Sequence, residues 1–182
     1  MASWKDARAA AVAGLGGFIV IFLLAELSQM SGAALLIAPF GASCVLVFGL
    51  PQSPLAQPRN VIGGHLVSAT VGLVAFALLG ATPLAFGLGV GAAIAAMLVT
   101  RTTHPPAGAD PIVVILAGAS WPFLFAPVLV GAVAIVLGGI VFHRLLGRTY
   151  PSNAPPSPAP AGSQIVKAEP RPTSLSTEIA PP

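Results

Sequence analysis

Ionic side chains are what this sequence has least of. Only 7% of its 182 residues are charged, against roughly a quarter in an ordinary soluble domain. Between Arg8 and Arg144 the charges reduce to Glu26, Arg59, Arg101 and Asp110, a supply too thin to cover a water-facing globular surface. The single cysteine, Cys44, lies inside an apolar run and excludes both a disulfide framework and a Cys-based metal site within one chain. Neither a His-Glu-x-x-His pair nor a Walker loop occurs, and Gly87-x-Gly89-x-Gly91 has no strand before it, so it reads as helix packing rather than a dinucleotide site. No enzyme and no cofactor are expected. The net charge of +3 comes from basic residues scattered between apolar blocks, which argues against a nucleic-acid partner despite a pI near 9.8.

What the chain has instead is apolar length: 55% of its residues are hydrophobic. A hydrocarbon core about 30 Å thick needs roughly 20 helical residues, so the lipid bilayer is the first partner implied. Apolar segments run over Ala9–Ala25, Ala33–Leu50, Val61–Ala81, Leu84–Thr100, Ile112–Ala119 and Phe123–Phe142. The first exceeds a secretory apolar region and is read as a mature helix. Four read as full spans. The second is interrupted by Pro39, and the fifth is too short unless His104–Pro111 also lies within the protein. Residues 1–148 are therefore read as a membrane domain, and 149–182, which hold nine of the 19 prolines, as a disordered tail with too little apolar material to offset its ordering entropy.

Positive residues favour the cytoplasmic side of a membrane. If all six segments cross, starting inside, then Lys5, Arg8, Arg59, Arg101, Arg144 and Arg148 all come out cytoplasmic, with both termini. A four-span alternative, with the second and fifth segments re-entrant, puts Arg59 outside. A short internal match accompanies this topology: Pro39-Phe40-Gly41-Ala42-Ser43 and Pro106-Ala107-Gly108-Ala109-Asp110 share Pro-x-Gly-Ala and a small polar residue, each opening the middle element of three. An odd number of crossings per unit inverts the second copy, so the fold class expected is an all-α membrane bundle of two related, inverted three-element units with broken second helices. Proline and glycine are also common at membrane helix ends, which accounts for so short a match without any repeat. Glycine-rich helix faces invite a second copy, so a homo-oligomer, a dimer or trimer, is expected.

Arg101-Thr102-Thr103-His104-Pro105-Pro106-Ala107-Gly108-Ala109 resembles the signature of the HPP family of integral membrane proteins. Pro39-Phe40-Gly41-Ala42-Ser43 and the stretch from Ser53 to His65 resemble that family's other characteristic segments, in the same order. The resemblance implies four spanning helices, a departure from the six elements counted here. Plant and cyanobacterial relatives are linked to nitrite transport, so it also implies a carrier or channel for a small inorganic anion, here in a bacterial inner membrane. A non-transporting structural or regulatory subunit, or a carrier of another solute, is the competing class.

The residues themselves are compatible with passing an anion. A helix start preceded by irregular backbone leaves N–H groups unpaired and carries partial positive charge. Ser43 and Asp110 suit N-cap positions at the two breaks, although an ionised Asp110 would itself occupy its helix end. Substrate contact is assigned to Pro39, Gly41, Ala42, Ser43, Arg59, His65, Arg101, His104, Pro105, Pro106, Gly108 and Asp110. For each the bland account stands beside the functional one: Arg59 and Arg101 serve equally as interface anchors, and His65 and His104 equally as packed imidazoles bonded to backbone. Gly41-Ala42-Ser43 also resembles an intramembrane serine nucleophile with a histidine base, a minor alternative because membrane serines usually bond backbone or a neighbouring helix.

Overall fold

Prolines decide where most of the helices begin. A computed structural model describes residues 4–152, and all the regular structure among them is helical. Helix α1 spans Trp4–Ser31; α2, Pro39–Cys44, continues as a wider turn through Val45–Gly49; α3 spans Pro58–Leu79 and α4 Pro83–Val99. A tight turn of helix, Pro105–Ala109, leads into α5, Asp110–Leu116, while Trp121–Leu124 and Phe125–Leu129 lead into α6, Val130–Leu145. Proline stands in the first turn of α2 to α5, where its fixed φ suits the helix and its missing N–H would have been unpaired anyway.

Among the described residues three helical stretches are long and apolar enough to cross a membrane: Asp6–Ser31, Pro58–Leu79 and Trp121–Leu145. The expectation of four full spans is corrected at α4, whose 17 residues extend only about 25 Å. Pro39–Gly49 and Pro105–Leu116 are shorter still, and each is preceded by backbone without regular structure, so both second elements are broken as expected.

Glycine contacts fix the directions. Gly16 of α1 abuts Phe142, and Gly138 of α6 abuts Val20, so α1 and α6 run antiparallel. Phe40 fills the space over Gly131 and Val47 that over Gly139, which sets the second element alongside α6 in the same direction. Gly63 meets Thr102, Gly72 meets Pro111 and Gly118 faces Phe76, so residues 102–118 run alongside α3. The chain thus reverses direction from each of the six elements to the next. The Tyr150 hydroxyl donates to the Ala56 carbonyl at 2.8 Å, tying the chain after α6 to the loop before α3, which the four-span alternative would put on opposite faces. Arg8, Arg59, Arg101, Arg144 and Arg148 consequently lie toward one end, and Glu26 lies toward the other.

Between lipid-facing helices burial of apolar surface contributes little, and close packing into small-residue sockets supplies the attraction. Phe40, Val47, Val61, Val114, Val128 and Ile135 are fully buried at this centre. The tail boundary at residue 148 is corrected as well. Gln52 Nε2 donates to the Thr149 carbonyl and the Ser152 N–H donates to Gln57 Oε1, both at 2.8 Å. Tyr150 is 3% exposed, and burial pushes its phenol above the ordinary range. The ordered unit therefore extends through Ser152, and the remainder of the expected tail, 153–182, lies outside the described residues.

Candidate functional site

The two broken elements meet each other and α3 at four fully buried polar side chains, Ser43, His65, His104 and Asp110. Ser43 Oγ lies 2.8 Å from His65 Nε2 and 2.8 Å from His104 Nε2. On its other side His65 Nδ1 is 2.8 Å from Asp110 Oδ2, and His104 Nδ1 is 2.8 Å from the Leu55 carbonyl. The result is a continuous chain of hydrogen bonds from the loop at the arginine-bearing end to the first residue of α5.

Local sequence explains how the chain of bonds is held. Gly63-Gly64 lets the 102–104 backbone approach α3 so closely that a Cβ on Gly64 would stand 2.7 Å from His104 Cβ and 2.8 Å from the Thr102 carbonyl oxygen. Prolines at 105 and 106 hold His104 extended, at φ −137° and ψ 99°, with its ring directed inward. Ser68 Oγ donates to the Ala107 carbonyl at 2.6 Å and Asn60 Nδ2 to the Thr103 carbonyl at 2.8 Å, pinning the 103–107 stretch to α3. Phe40 stands edge-on to the His65 ring at 5.2 Å between centroids, closing the site toward α6.

Other residues expected at the site lie elsewhere. Pro39 contributes a carbonyl 3.2 Å from Ser43 Oγ, but Gly41, Ala42 and Pro105 are exposed on the outer surface, and Pro106 and Gly108 are half-buried beside the site. Arg59 and Arg101 are exposed at the end of the bundle, where Arg59 Nη2 donates to the Thr100 carbonyl at 3.0 Å. The capping roles are corrected: Ser43 sits near the C-terminal end of α2, Asp110 opens α5 with its carboxyl turned to His65, and neither makes a side-chain cap bond. The supply of unpaired backbone N–H groups is small too. Phe40 and Gly41 donate to the Ile37 and Ala38 carbonyls, Ala107 donates to that of His104, and the prolines have none to offer. The polar capacity of this centre resides in side chains.

Among the described residues two buried side-chain atoms lack partners, Asp110 Oδ1 and His143 Nδ1. His143 was missed in the sequence. Its Nε2–H donates to the Val47 carbonyl at 2.9 Å, which fastens α6 to the second element. Apolar grooves among the described residues include one of about 430 Å³ between α1 and α2, one of about 400 Å³ at Gly49–Ser53 and one of about 330 Å³ between α1 and α6. None of the four network residues lines any of them. Among the described residues no group of three or more His, Cys, Asp or Glu is placed to hold a metal ion.

The geometry accompanies clear relatives. Two transmembrane proteins of Dictyostelium discoideum are similar over 150 residues each, one 37% identical across 75% of this chain and 48% of its own length, the other 35% identical across 77% and 53%. The chain thus spans about half the length of these curated relatives. No solved structure matches. The family model for the HPP transmembrane region covers residues 3–151, nearly the whole ordered unit, and the chain belongs to the HPP transmembrane family.

Proposed function

We propose that the protein carries a small inorganic anion, nitrite in the first instance, across a bacterial inner membrane, with its arginine-bearing end and both termini cytoplasmic. The observation that carries this reading is the buried Ser43–His65–His104–Asp110 centre, placed where two broken elements meet inside an otherwise apolar bundle. Buried polar groups within a membrane are costly and mark pathways far more often than scaffolds. Ring N–H groups and a hydroxyl are donors suited to an anion shedding its hydration shell, while Arg59 and Arg101 raise anion concentration at the cytoplasmic mouth. The second elements run in opposite directions, which supports two units related by inversion and an exchange of access between faces. Nitrite itself rests on the family resemblance.

The test is uptake of nitrite, nitrate, formate and chloride into proteoliposomes, with and without a pH gradient, for the wild type and His104→Ala. Folded wild-type protein that moves none of these anions faster than empty vesicles ends the anion reading and leaves the subunit or other-solute classes. Normal uptake by His104→Ala removes that histidine from the pathway. A homo-oligomer is part of the same proposal, since the thin bundle leaves Phe18, Phe22 and Leu23 of α1 exposed; a monomeric mass in mild detergent would count against it.

One observation favours a second reading. Ser43, His65 and Asp110 repeat the atom order of a hydrolase triad, Oγ to Nε2 and Nδ1 to carboxylate. Against it, Ser43 lies within a helix rather than on an exposed turn, a second imidazole occupies its oxygen, and none of the three grooves reaches it. Covalent labelling of Ser43 by a fluorophosphonate would reverse that preference.

A further inference from the structure

We infer that Ser43 is a proton bridge between His65 and His104, and that the four-residue centre holds one transferable proton which it passes between the two rings. The argument is a count of hydrogens. His104 Nδ1 faces the Leu55 carbonyl at 2.8 Å, and a carbonyl only accepts, so that nitrogen bears hydrogen. A neutral His104 then has a bare Nε2, which needs a donor, and Ser43 Oγ at 2.8 Å is the atom facing it. On the other side, an ionised Asp110 requires hydrogen on His65 Nδ1, which for a neutral ring again leaves Nε2 bare toward the same Ser43 Oγ. One hydroxyl has one hydrogen. With two neutral rings and an ionised carboxylate, one of the two 2.8 Å contacts would set lone pair against lone pair.

One added proton removes the conflict: it can sit on Asp110 Oδ2, which then donates to His65 Nδ1 while His65 Nε2–H turns to Ser43, or it can sit on the rings in two ways. In the first, His65 bears hydrogen on both nitrogens, donates to Asp110 and to Ser43, and the Ser43 hydroxyl donates to His104. In the second, His104 is the doubly protonated ring, donates to Ser43 and to Leu55, and the hydroxyl donates to His65. Interconversion is a balanced double transfer. The N–H bond at His65 Nε2 breaks as its proton passes to Ser43 Oγ, while the original hydroxyl proton leaves Oγ and forms an N–H bond at His104 Nε2. No heavy atom needs to move, and the positive charge advances from α3 toward the loop at the arginine-bearing end. A second added proton has a place as well: with both rings donating to Oγ, the hydroxyl hydrogen turns to the Pro39 carbonyl 3.2 Å away.

The surroundings keep the count local. Asp110 is the acidic group at the site, whereas Asp6 and Glu26 are exposed on α1. Of the other groups on the elements packed here, Cys44 is buried beside Ser43, His143 is engaged with Val47 and Arg59 with Thr100, and Arg101 is exposed. Among the described residues Asp110 Oδ1 has no partner, so the carboxyl joins the network through Oδ2 alone. What the proton drives rests on the anion-transport reading, in which a proton and an anion would travel together; the bridge does not.

The chain has three histidines, so an imidazole ¹⁵N spectrum of the labelled full-length protein in lipid nanodiscs resolves the question. The wild type should show His104 Nε2 partly protonated at neutral pH, with His65 and His104 changing together as pH is varied, and His143 as a neutral ring protonated at Nε2. In Ser43→Ala the His104 Nε2 proton should disappear and the two rings should titrate separately; Ser43→Thr should restore the wild-type pattern. An unchanged His143 signal certifies the fold, and if Ser43→Ala does not fold, the wild-type count decides alone. Two neutral rings in the wild type, whether Asp110 is ionised or holds the proton itself, or the same coupling without the hydroxyl, overturns the bridge. In proteoliposomes, nitrite-driven proton movement should fall about 10²-fold in Ser43→Ala, the scale of losing a positioned proton-transfer group, and return in Ser43→Thr. Wild-type vesicles inert to nitrite would sink only the transport reading, since the spectrum still measures the bridge.

Discussion

Ser43 and His104 are 61 positions apart in the chain and 2.8 Å apart at Oγ and Nε2. That contact closes the bundle at the point where its two interrupted elements approach each other. It ties together helices that have little else polar between them, so the energetics of the centre are open to mutation.

Asp110 is the first such test. Its carboxyl pairs with His65 at full burial, and removing one partner of a buried pair costs about 3–5 kcal/mol because the other is left uncompensated. Asp110→Ala should therefore lower the thermal midpoint in detergent steeply. Asp110→Asn, which retains an acceptor oxygen for His65 Nδ1–H, should lose less than half as much. Equal losses would mean that the space filled at residue 110, rather than the hydrogen bond, is what matters.

Arg101 poses a different one. Helices α4, α5 and α6 end in the same way: the Thr102, Ala119 and Arg148 N–H groups donate to the Met97, Val114 and His143 carbonyls, with the preceding residue in the left-handed region. That residue is Gly118 at φ 55° after α5 and Gly147 at φ 67° after α6, but Arg101 at φ 56° after α4. A side chain there costs about 1 kcal/mol of backbone strain. Arg101→Gly should raise stability by about that amount and, if the guanidinium attracts anions, lower their uptake most clearly at low ionic strength. A variant that gains stability and keeps full uptake would reduce Arg101 to an interface residue.

Much of this was legible before any coordinates. Pro39 and Pro105-Pro106 mark the broken elements because proline lacks a donor and fixes φ, and Gly63-Gly64 marks a close approach just before His65. All four residues of the polar centre stood out as rare polar groups in apolar surroundings. Their mutual contacts did not, because helical periodicity tells which face a residue occupies but not which distant segment covers it, and Ser43, His65 and Asp110 come from three different elements. The capping roles failed for two reasons: α2 begins at Pro39, four residues before Ser43, and at Asp110 a tertiary partner, His65, took the carboxyl from the helix end. His143 was hidden as a polar residue at a helix end beside Arg144, where an interface role is the ordinary reading. Tyr150 was hidden by composition, because a proline-rich average over a long tail conceals four ordered residues at its start.

Those four residues yield a sharp deletion boundary. A chain ending after Ser152 should match the full-length protein in thermal stability. One ending after Arg148 loses the buried Tyr150 ring and its hydrogen bond to Ala56, worth together about 2–4 kcal/mol. Tyr150→Phe should lose about 1 kcal/mol of that. If the shorter truncation is as stable as the longer one, the docked segment contributes nothing to the fold.

The direction of the six elements has a labelling test that separates the two topologies by pairing rather than by degree. Cys44 is buried and is the chain's single cysteine, so Cys44→Ala supplies a clean background for cysteines placed at exposed Pro54, Ala81, Ala117 and Leu146. In the six-element arrangement Pro54 and Leu146 lie at the arginine-bearing end, and Ala81 and Ala117 at the other. An impermeant maleimide should thus reach the first pair from one face and the second pair from the opposite face. Re-entrant second and fifth segments would instead put positions 54 and 117 on one face and 81 and 146 on the other. The positive-inside tendency adds the absolute sense: the pair at positions 54 and 146 should react only when the cytoplasmic face is exposed. The opposite absolute sense, with the pairing preserved, would leave the fold intact but move Arg59 and Arg101 to the outer mouth, where they would gather anions for entry rather than for exit.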